Sequence, residues 1–263
     1  MPPPRPRSQS GLGLAAVLLL IGGCVDPDEG LGATDEELLT RNGLPVLNGL
    51  NTQNGLNTQN GLSTQNGLNT QNGLASGTGL MATSDGRVTA AYLVMCALPA
   101  GHSVTKTDQY GNVYTFDGAI GVSPEWEYGA CDTTCQQWLS SCMLLHINTA
   151  GVHVPLWIVA DSGPQPQIGW GLDGGYPNQE GAFFGNIFVS PPKMYYCNGG
   201  NLLTNPQPGR LGYANYLSTI PYADPWGASG TCARNCTTSP SPYKTSGFKS
   251  CYGFNQVLTV WHQ

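Results

Sequence analysis

Basic residues are scarce in this sequence. Ten Lys and Arg stand against sixteen Asp and Glu, and all charged residues together make up 10% of the chain. Nucleic-acid binding needs a basic stripe that neutralises phosphates, so this class of function is disfavoured. Recognised catalytic signatures are missing as well: there is no Gly-x-Ser-x-Gly, no His-Glu-x-x-His and no phosphate loop of the form Gly-x-x-x-x-Gly-Lys-Ser/Thr. These absences leave the reaction or ligand open, and the location of the protein is easier to infer.

The N-terminus predicts export and lipid attachment. Two arginines precede an apolar segment, residues 11–21, which is about half as long as the ~20 residues of a spanning helix. Residues 1–23 are therefore predicted to be a lipoprotein signal peptide. Residues Ile21 to Cys24 resemble the bacterial lipobox, which implies a diacylglycerol and an acyl chain such as palmitate on Cys24. The alternative is an ordinary cleaved signal in which Cys24 is incidental. Val25, directly after the cysteine, favours the outer over the inner membrane.

An acidic segment follows the predicted anchor. Two of the ten basic residues precede Cys24, so the mature chain carries a net charge of −8. Six of its acids lie in residues 24–41, where anionic lipid headgroups would repel them. We expect this segment to hold the chain away from the membrane surface.

Residues 42–85 contain a six-residue repeat. Asn-Gly-Leu recurs six times, and Thr-Gly-Leu forms a degraded seventh copy at residues 78–80. The complete copies occupy residues 42–44, 48–50, 54–56, 60–62, 66–68 and 72–74. One leucine in six residues buries too little apolar surface to offset the cost of ordering the backbone, which predicts a disordered tether. A hexapeptide β-helix is the alternative, and the Asn/Gln bias also leaves β-rich self-association open.

Residues 86–263 are long enough for one domain with its own core. Apolar residues at helical spacing predict a helix that is capped near Ser84-Asp85 and stopped by Pro99, and a second helix over 132–148 with Asp132 as its cap. Alternating patterns predict a hairpin and further strands. The predicted strands cover residues 103–107, 113–116, 152–159, 182–190, 193–196 and 256–261. We expect an α+β fold with two helices against a small, mainly antiparallel sheet, loop-rich and stapled by disulfides.

Eight of the nine cysteines lie beyond Cys24. An even number in an exported domain predicts four disulfides, formed by Cys96, Cys131, Cys135, Cys142, Cys197, Cys232, Cys236 and Cys251. In a helix, Cys135 and Cys142 lie about 10.5 Å apart along the axis, so each is expected to pair elsewhere. A distant partner is also expected for Cys131. Zinc is the alternative, because Cys131/Cys135, Cys142/His146 and Cys232/Cys236 have loosely zinc-like spacing, but an oxidising compartment argues against it.

Glycine-rich loops of the domain carry aromatic rings beside Asp, Asn and Gln. Trp170, Tyr176 and Trp226 are candidate sugar-binding residues, since ring faces cover the apolar side of a pyranose while polar groups bind its hydroxyls. The alternative is that these rings fill the interior of a disulfide-rich domain. For an enzyme, the candidate catalytic groups are the ionisable residues expected near strand ends, each of which has a structural alternative. They are His153, Asp161, Asp173 and Glu180.

Four segments, preceded by the Asn-Gly-Leu repeats, resemble a group of predicted myxobacterial lipoproteins with a Cys-rich C-terminal domain. The segments are residues 96–102 (CALPAGH), the helix from Cys131 to His146, residues 151–155 (GVHVP) and residues 180–186 (EGAFFGN). The resemblance covers most of the chain. It implies a lipid-anchored surface protein and supplies no catalytic residues.

Two functions from different classes follow from these features. The first is a surface lipoprotein that displays a disulfide-stabilised module for adhesion, or for binding a glycan or a surface protein, without a metal or other cofactor. The second is a cell-envelope hydrolase that acts on polysaccharide or peptide. A long tether favours display, because reach adds little to a catalyst that acts on a diffusible substrate.

Overall fold

A computed structural model describes residues 63–69, 74, 79–147, 156–160, 175–189, 192–199, 232–238 and 247–263. These residues form the predicted α+β fold, with two long helices and small antiparallel sheets. The predicted signal peptide, Cys24, the acidic segment and the first four repeats lie outside the described residues.

The described elements follow one another in the order of the chain. The helices are α1 Ser84–Ala97, α2 Thr133–Leu145 and the short α3 Cys232–Asn235, with 3-10 turns at Gly79–Ala82 and Pro124–Glu127. The strands are β1 Ser103–Thr107, β2 Val113–Asp117, β3 Leu156–Ala160, β4 Asn178–Asn186, β5 Lys193–Asn198, β6 Cys236–Thr238, β7 Phe248–Cys251 and β8 Leu258–His262.

Helix α1 is capped one residue earlier than the sequence predicts. The hydroxyl of Thr83 accepts a hydrogen bond from the Gly86 amide at 3.0 Å, so Thr83, not Ser84, is the N-cap. The helix ends at Ala97 because Leu98 adopts an extended backbone, the conformation that a following proline imposes.

The N-terminus of α2 confirms the predicted cap. The carboxylate of Asp132 accepts a hydrogen bond from the Cys135 amide at 2.9 Å. The helix ends at Leu145, with His146 as the C-cap, three residues before the predicted end. Helices α1 and α2 pack together in the main core.

Strands β1 and β2 form the predicted antiparallel hairpin. Asp108 organises its turn, because its carboxylate accepts hydrogen bonds from the amides of Tyr110 and Asn112 and from the side chains of Asn112 and Tyr114. These bonds outweigh desolvation and lower the pKa of Asp108, with the Asn112 side chain making the largest contribution. Gly111 adopts a φ of +85° in this turn, a conformation that favours glycine.

The main sheet has four antiparallel strands in the order β3-β8-β4-β5. One face of this sheet, including Ile158, Val260 and Phe183, belongs to the same core as α1 and α2. Strand β4 begins and ends four residues before the predicted 182–190. Its end is set by Asn186, whose side chain accepts from the Phe188 amide at 3.0 Å and donates to Gln136 of α2 at 3.0 Å.

The other face of the sheet carries two smaller clusters. The first joins β4 and β5 to the β6–β7 pair through buried groups that include Phe184, Cys197 and Phe248. The second joins Tyr176 to residues of β3 and β8. Strands β6 and β7, and helix α3, were not expected from the sequence, because each is only three to four residues long.

All eight domain cysteines form disulfides, as predicted. The four bonds are Cys96–Cys142, Cys131–Cys135, Cys197–Cys232 and Cys236–Cys251. Cys135 and Cys142 are not joined to each other, in agreement with the helix geometry. The expectation of a distant partner for Cys131 is wrong, because Cys131 bonds to Cys135 four residues away. Cys131 precedes the extended cap residue Asp132, and from there its Cα lies 5.2 Å from that of Cys135.

The folded domain extends further toward the N-terminus than residue 86. Leu68, Leu74 and Leu80, which end the last three copies of the repeat, are 0–2% exposed and belong to the main core. The prediction of a disordered linker over 42–85 is therefore wrong for residues 63–69, 74 and 79–85. These leucines are stabilised by apolar surface that the domain supplies, so they do not depend on packing within the repeat. Full burial of a leucine contributes about 1.5–3 kcal/mol.

Candidate functional site

The clearest recognition site in the described residues binds the chain's own repeat. Residues 63–69, which we call the docked repeat, lie along residues 126–131, which we call the docking slot. The amides of Leu68 and Asn69 donate to the carbonyls of Trp126 and Glu127 at 2.7 and 2.8 Å. Backbone contacts of this kind hold a peptide irrespective of most of its side chains.

Two further hydrogen bonds run between the slot and the docked repeat. The indole N–H of Trp126 donates to the carbonyl of Asn66 at 3.1 Å. The amide of Cys131 donates to the carbonyl of Thr64 at 2.7 Å. Trp126 is itself fully buried, with its ring in edge contact with Phe188, so this donor is held rigidly.

Gly67 and Leu68 fit the slot by size. A Cβ on Gly67 would overlap the backbone of Tyr128, so any larger residue would clash there. Leu68 is 0% exposed and inserts into the core. The Gly-Leu pair of the repeat is thus selected by steric fit.

A polar cluster closes one end of the docking slot. Glu127 accepts hydrogen bonds from Nδ1 of His102 at 2.6 Å and from the side-chain amide of Asn69 at 3.3 Å. Because a carboxylate can only accept, this contact assigns a proton to Nδ1 of His102. The side chain of His102 is 49% exposed, whereas that of Glu127 is 9% exposed.

The pKa of Glu127 reflects these contacts. Burial raises it, but the hydrogen bonds from His102, Tyr128 and Asn69 and the charge of His102 outweigh burial. The pKa therefore lies below the ordinary value of 4.5, and Glu127 is a carboxylate at neutral pH.

The structure describes one of the four candidate catalytic residues. Glu180 lies at a β-bulge of β4, between Gln179 and Gly181, and is 0% exposed. Its backbone carbonyl accepts from the Gly199 amide at 2.7 Å. A carboxyl group in this position is closed off from a polymeric substrate. The other three candidates, His153, Asp161 and Asp173, lie outside the described residues.

One of the three candidate sugar-binding rings is described. Tyr176 stacks on Trp157 with ring centroids 6.1 Å apart, in a cluster with Val159 and Trp261. At 9% exposure its ring is largely covered, which favours the packing role over direct contact with a sugar. Trp170 and Trp226 lie outside the described residues. The aromatic side chains that are most exposed in the described part are Tyr110, at 81%, and Tyr128, at 71%.

Two sulfur clusters have the composition of metal sites. In the first, Nδ1 of His146 lies 3.8 and 3.9 Å from the sulfurs of Cys96 and Cys142. His146 is 2% exposed, and its Nδ1 lies 2.8 Å from the Cys142 carbonyl, as in a buried structural histidine. The Cys96–Cys142 bond leaves no thiolate for zinc or for nucleophilic attack.

The second sulfur cluster joins two disulfides. The sulfurs of Cys197 and Cys236, which belong to different bridges, lie 3.5 Å apart in a non-bonded contact. The bridges tie β5 to α3 and β6 to β7. In this oxidised form, the cluster is a covalent staple beneath β5.

Sequence reasoning missed Trp126, His102 and Glu127 as recognition residues. Trp126 stands in a short 3-10 turn with no periodic pattern, and His102 and Glu127 are 25 residues apart in the chain. The available signal was the repeat itself, because strict retention of Gly and Leu at six-residue spacing is unnecessary in a featureless linker.

Comparison with protein-family models, with curated protein sequences and with solved structures finds no match to this chain. Within the described residues, no helix is both long and apolar enough to cross a membrane.

Proposed function

We propose that this protein is a lipid-anchored protein of the bacterial cell envelope, more suited to the outer than the inner membrane, which displays a disulfide-stabilised binding module. The observation that carries the proposal is the cysteine pairing. Four bridges use all eight domain cysteines and leave Cys24 as the one cysteine outside the set. Such bridges belong to an extracytoplasmic compartment, and lipid attachment accounts for the ninth cysteine.

The module binds a glycan or a surface protein without converting it. This reading is supported by the use of ionisable groups in the described residues: Glu180 and His146 are buried, and Glu127 holds the docked repeat. The exposed ring of Tyr110, at the tip of the β1–β2 hairpin, offers a flat apolar surface of the kind that covers a sugar ring.

A hydrolase is the second candidate. The observation in its favour is that Glu127 orients the half-exposed imidazole of His102, an arrangement that also serves a general base. The display function predicts that His102→Gln leaves ligand binding unchanged.

Two experiments test the proposal. Cys24→Ala should leave unprocessed precursor, whereas the native membrane form should begin at Cys24 and carry acyl mass in intact-mass analysis. A mature form with another start and no acyl mass would contradict lipidation.

The second experiment measures binding and turnover on the same ligands. Glycan-array binding by the whole chain, with no shortening of the bound polysaccharide, supports display. Tyr110→Ala should weaken binding, while Tyr110→Phe, which keeps the ring, should retain it. Shortening of the polymer that His102→Gln abolishes would establish the hydrolase instead.

A further inference from the structure

The docked repeat is nearly identical in sequence to an earlier part of the chain. Residues 63–69 read Ser-Thr-Gln-Asn-Gly-Leu-Asn, and residues 51–57 read Asn-Thr-Gln-Asn-Gly-Leu-Asn. The two differ only at the first position. Residues 51–57 lie outside the described part of the chain.

Every contact that the docking slot makes is available to this earlier copy. The slot binds the backbone at Thr64, Asn66, Leu68 and Asn69, and residues 52, 54, 56 and 57 are the same amino acids. Gly55 and Leu56 match the two residues that are selected by size, Gly67 and Leu68.

The one sequence difference is conservative for the local turn. The hydroxyl of Ser63 accepts from the Gln65 amide at 3.3 Å and from the side chain of Asn66 at 2.9 Å. The side-chain oxygen of Asn51 can accept in the same way, since Asn forms such turns at least as readily as Ser.

The neighbouring copies fit less well. Asn69 donates its side-chain amide to Glu127 and to the carbonyl of Ser103, both at 3.3 Å. Residues 57–63 end in Ser63 and residues 69–75 end in Ala75, and neither of these two residues has a side-chain amide to donate. The copy at 51–57 is therefore the best matched competitor.

We propose that the docking slot is a binding site for the repeat unit, and that residues 51–57 exchange into it in place of residues 63–69 of the same chain. The exchange shifts the register by twelve residues and shortens the segment between Cys24 and the domain by the same number. The slot thus makes the length of chain between Cys24 and the domain adjustable.

Loop closure sets the balance between the two registers. Five residues separate Leu68 from the next buried anchor, Leu74, and seventeen would separate Leu56 from it. The closure penalty grows as (3/2)RT ln n, so the shifted register is populated about six-fold less than the observed one. A second molecule competes poorly, because a tethered copy has an effective concentration of about a millimolar.

Gly67→Ala in the full-length protein tests the exchange. The added Cβ clashes with the Tyr128 backbone and expels residues 63–69 from the slot, while residues 51–57 remain able to enter. Residue-resolved hydrogen exchange should then show protection lost at Leu68 and Asn69 and gained at Leu56 and Asn57. The melting temperature should fall by only about 2–4 °C, because a six-fold penalty limits the loss.

Matched variants separate this result from general destabilisation. Gly55→Ala alone should change neither the protection of Leu68 nor the melting temperature. The double variant Gly55→Ala/Gly67→Ala should lose protection at both copies and should melt at a clearly lower temperature than Gly67→Ala. Leu68→Ala should move protection to Leu56 in the same way, without a steric clash.

Three results would overturn the proposal. The first is a loss of hydrogen-exchange protection at residues 68–69 in Gly67→Ala or Leu68→Ala with no gain at residues 56–57, together with a melting temperature equal to that of the double variant. The second is Gly67→Ala keeping its protection at 68–69. The third is protection at 56–57 that appears only in dimers that form with rising concentration, since it would place the exchange between chains.

Discussion

Helices α1 and α2 are joined covalently by Cys96–Cys142, and replacing this bridge with an alanine pair should destabilise the domain strongly. The bond closes a loop with a sequence separation of 46 residues. In the chain-entropy relation, breaking this bond gives the unfolded state more conformational entropy and lowers the free energy of unfolding by about 4 kcal/mol. The same relation gives about 2 kcal/mol for Cys131–Cys135, whose separation is four residues.

Comparing the two alanine pairs cancels the effect of removing the cysteine side chains. All four cysteines are 0–1% exposed, so each alanine pair leaves a similar space behind. The difference of about 2 kcal/mol between the pairs therefore measures loop length.

Thermal unfolding of the two double variants provides the assay. For a domain of this size, Cys96→Ala/Cys142→Ala should lower the melting temperature by about 8–16 °C and Cys131→Ala/Cys135→Ala by about 4–8 °C. Chemical unfolding in urea gives the free energies directly. Equal losses, or a larger loss for the short bridge, would refute loop closure as the source of stability.

Two further predictions concern the docking slot and the core. His102→Gln weakens the interactions that lower the pKa of Glu127, and it should reduce the stability that they contribute above about pH 4.5 and that is lost as the pH falls through the lowered pKa. Urea unfolding from pH 3 to 6 should show a difference in the free energy of unfolding between variant and wild type that disappears on acidification. A difference that does not depend on pH would contradict this role. Leu80→Ala should cost about 2–5 kcal/mol in the same assay, since Leu80 is 2% exposed, and a cost near zero would mean that the repeat leucines do not support the core.

Local signals in the sequence predicted much of the fold. Asp132 caps α2, Pro99 follows the end of α1, and the β1–β2 hairpin turns where glycine and asparagine cluster. Each of these depends on residues within a few positions of one another. The exclusion of a Cys135–Cys142 bond was equally local, because it needed only the rise of a helix.

Most of the features that were mispredicted depend on residues distant in the sequence, and the Cys131–Cys135 bond is the exception. The repeat leucines looked too sparse to fold because the surface that buries them comes from other segments, including Trp126. The predicted bounds of β4 were four residues too late because Gln179 and Glu180 are polar residues that lie buried at a bulge. The partner of Cys131 was missed because the helix argument applies only inside the helix, and Cys131 precedes it.

Strand β8 comes last among the described strands and lies in the interior of the main sheet, between β3 and β4. A chain that enters an extracytoplasmic compartment N-terminus first exposes β3 and β4 as two unpaired edges until residues 258–262 have arrived. The Cys131–Cys135 bond needs only five consecutive residues and can form early, whereas the sheet closes only at the end. The main sheet can therefore close only after the last of its described strands, β8, is in place.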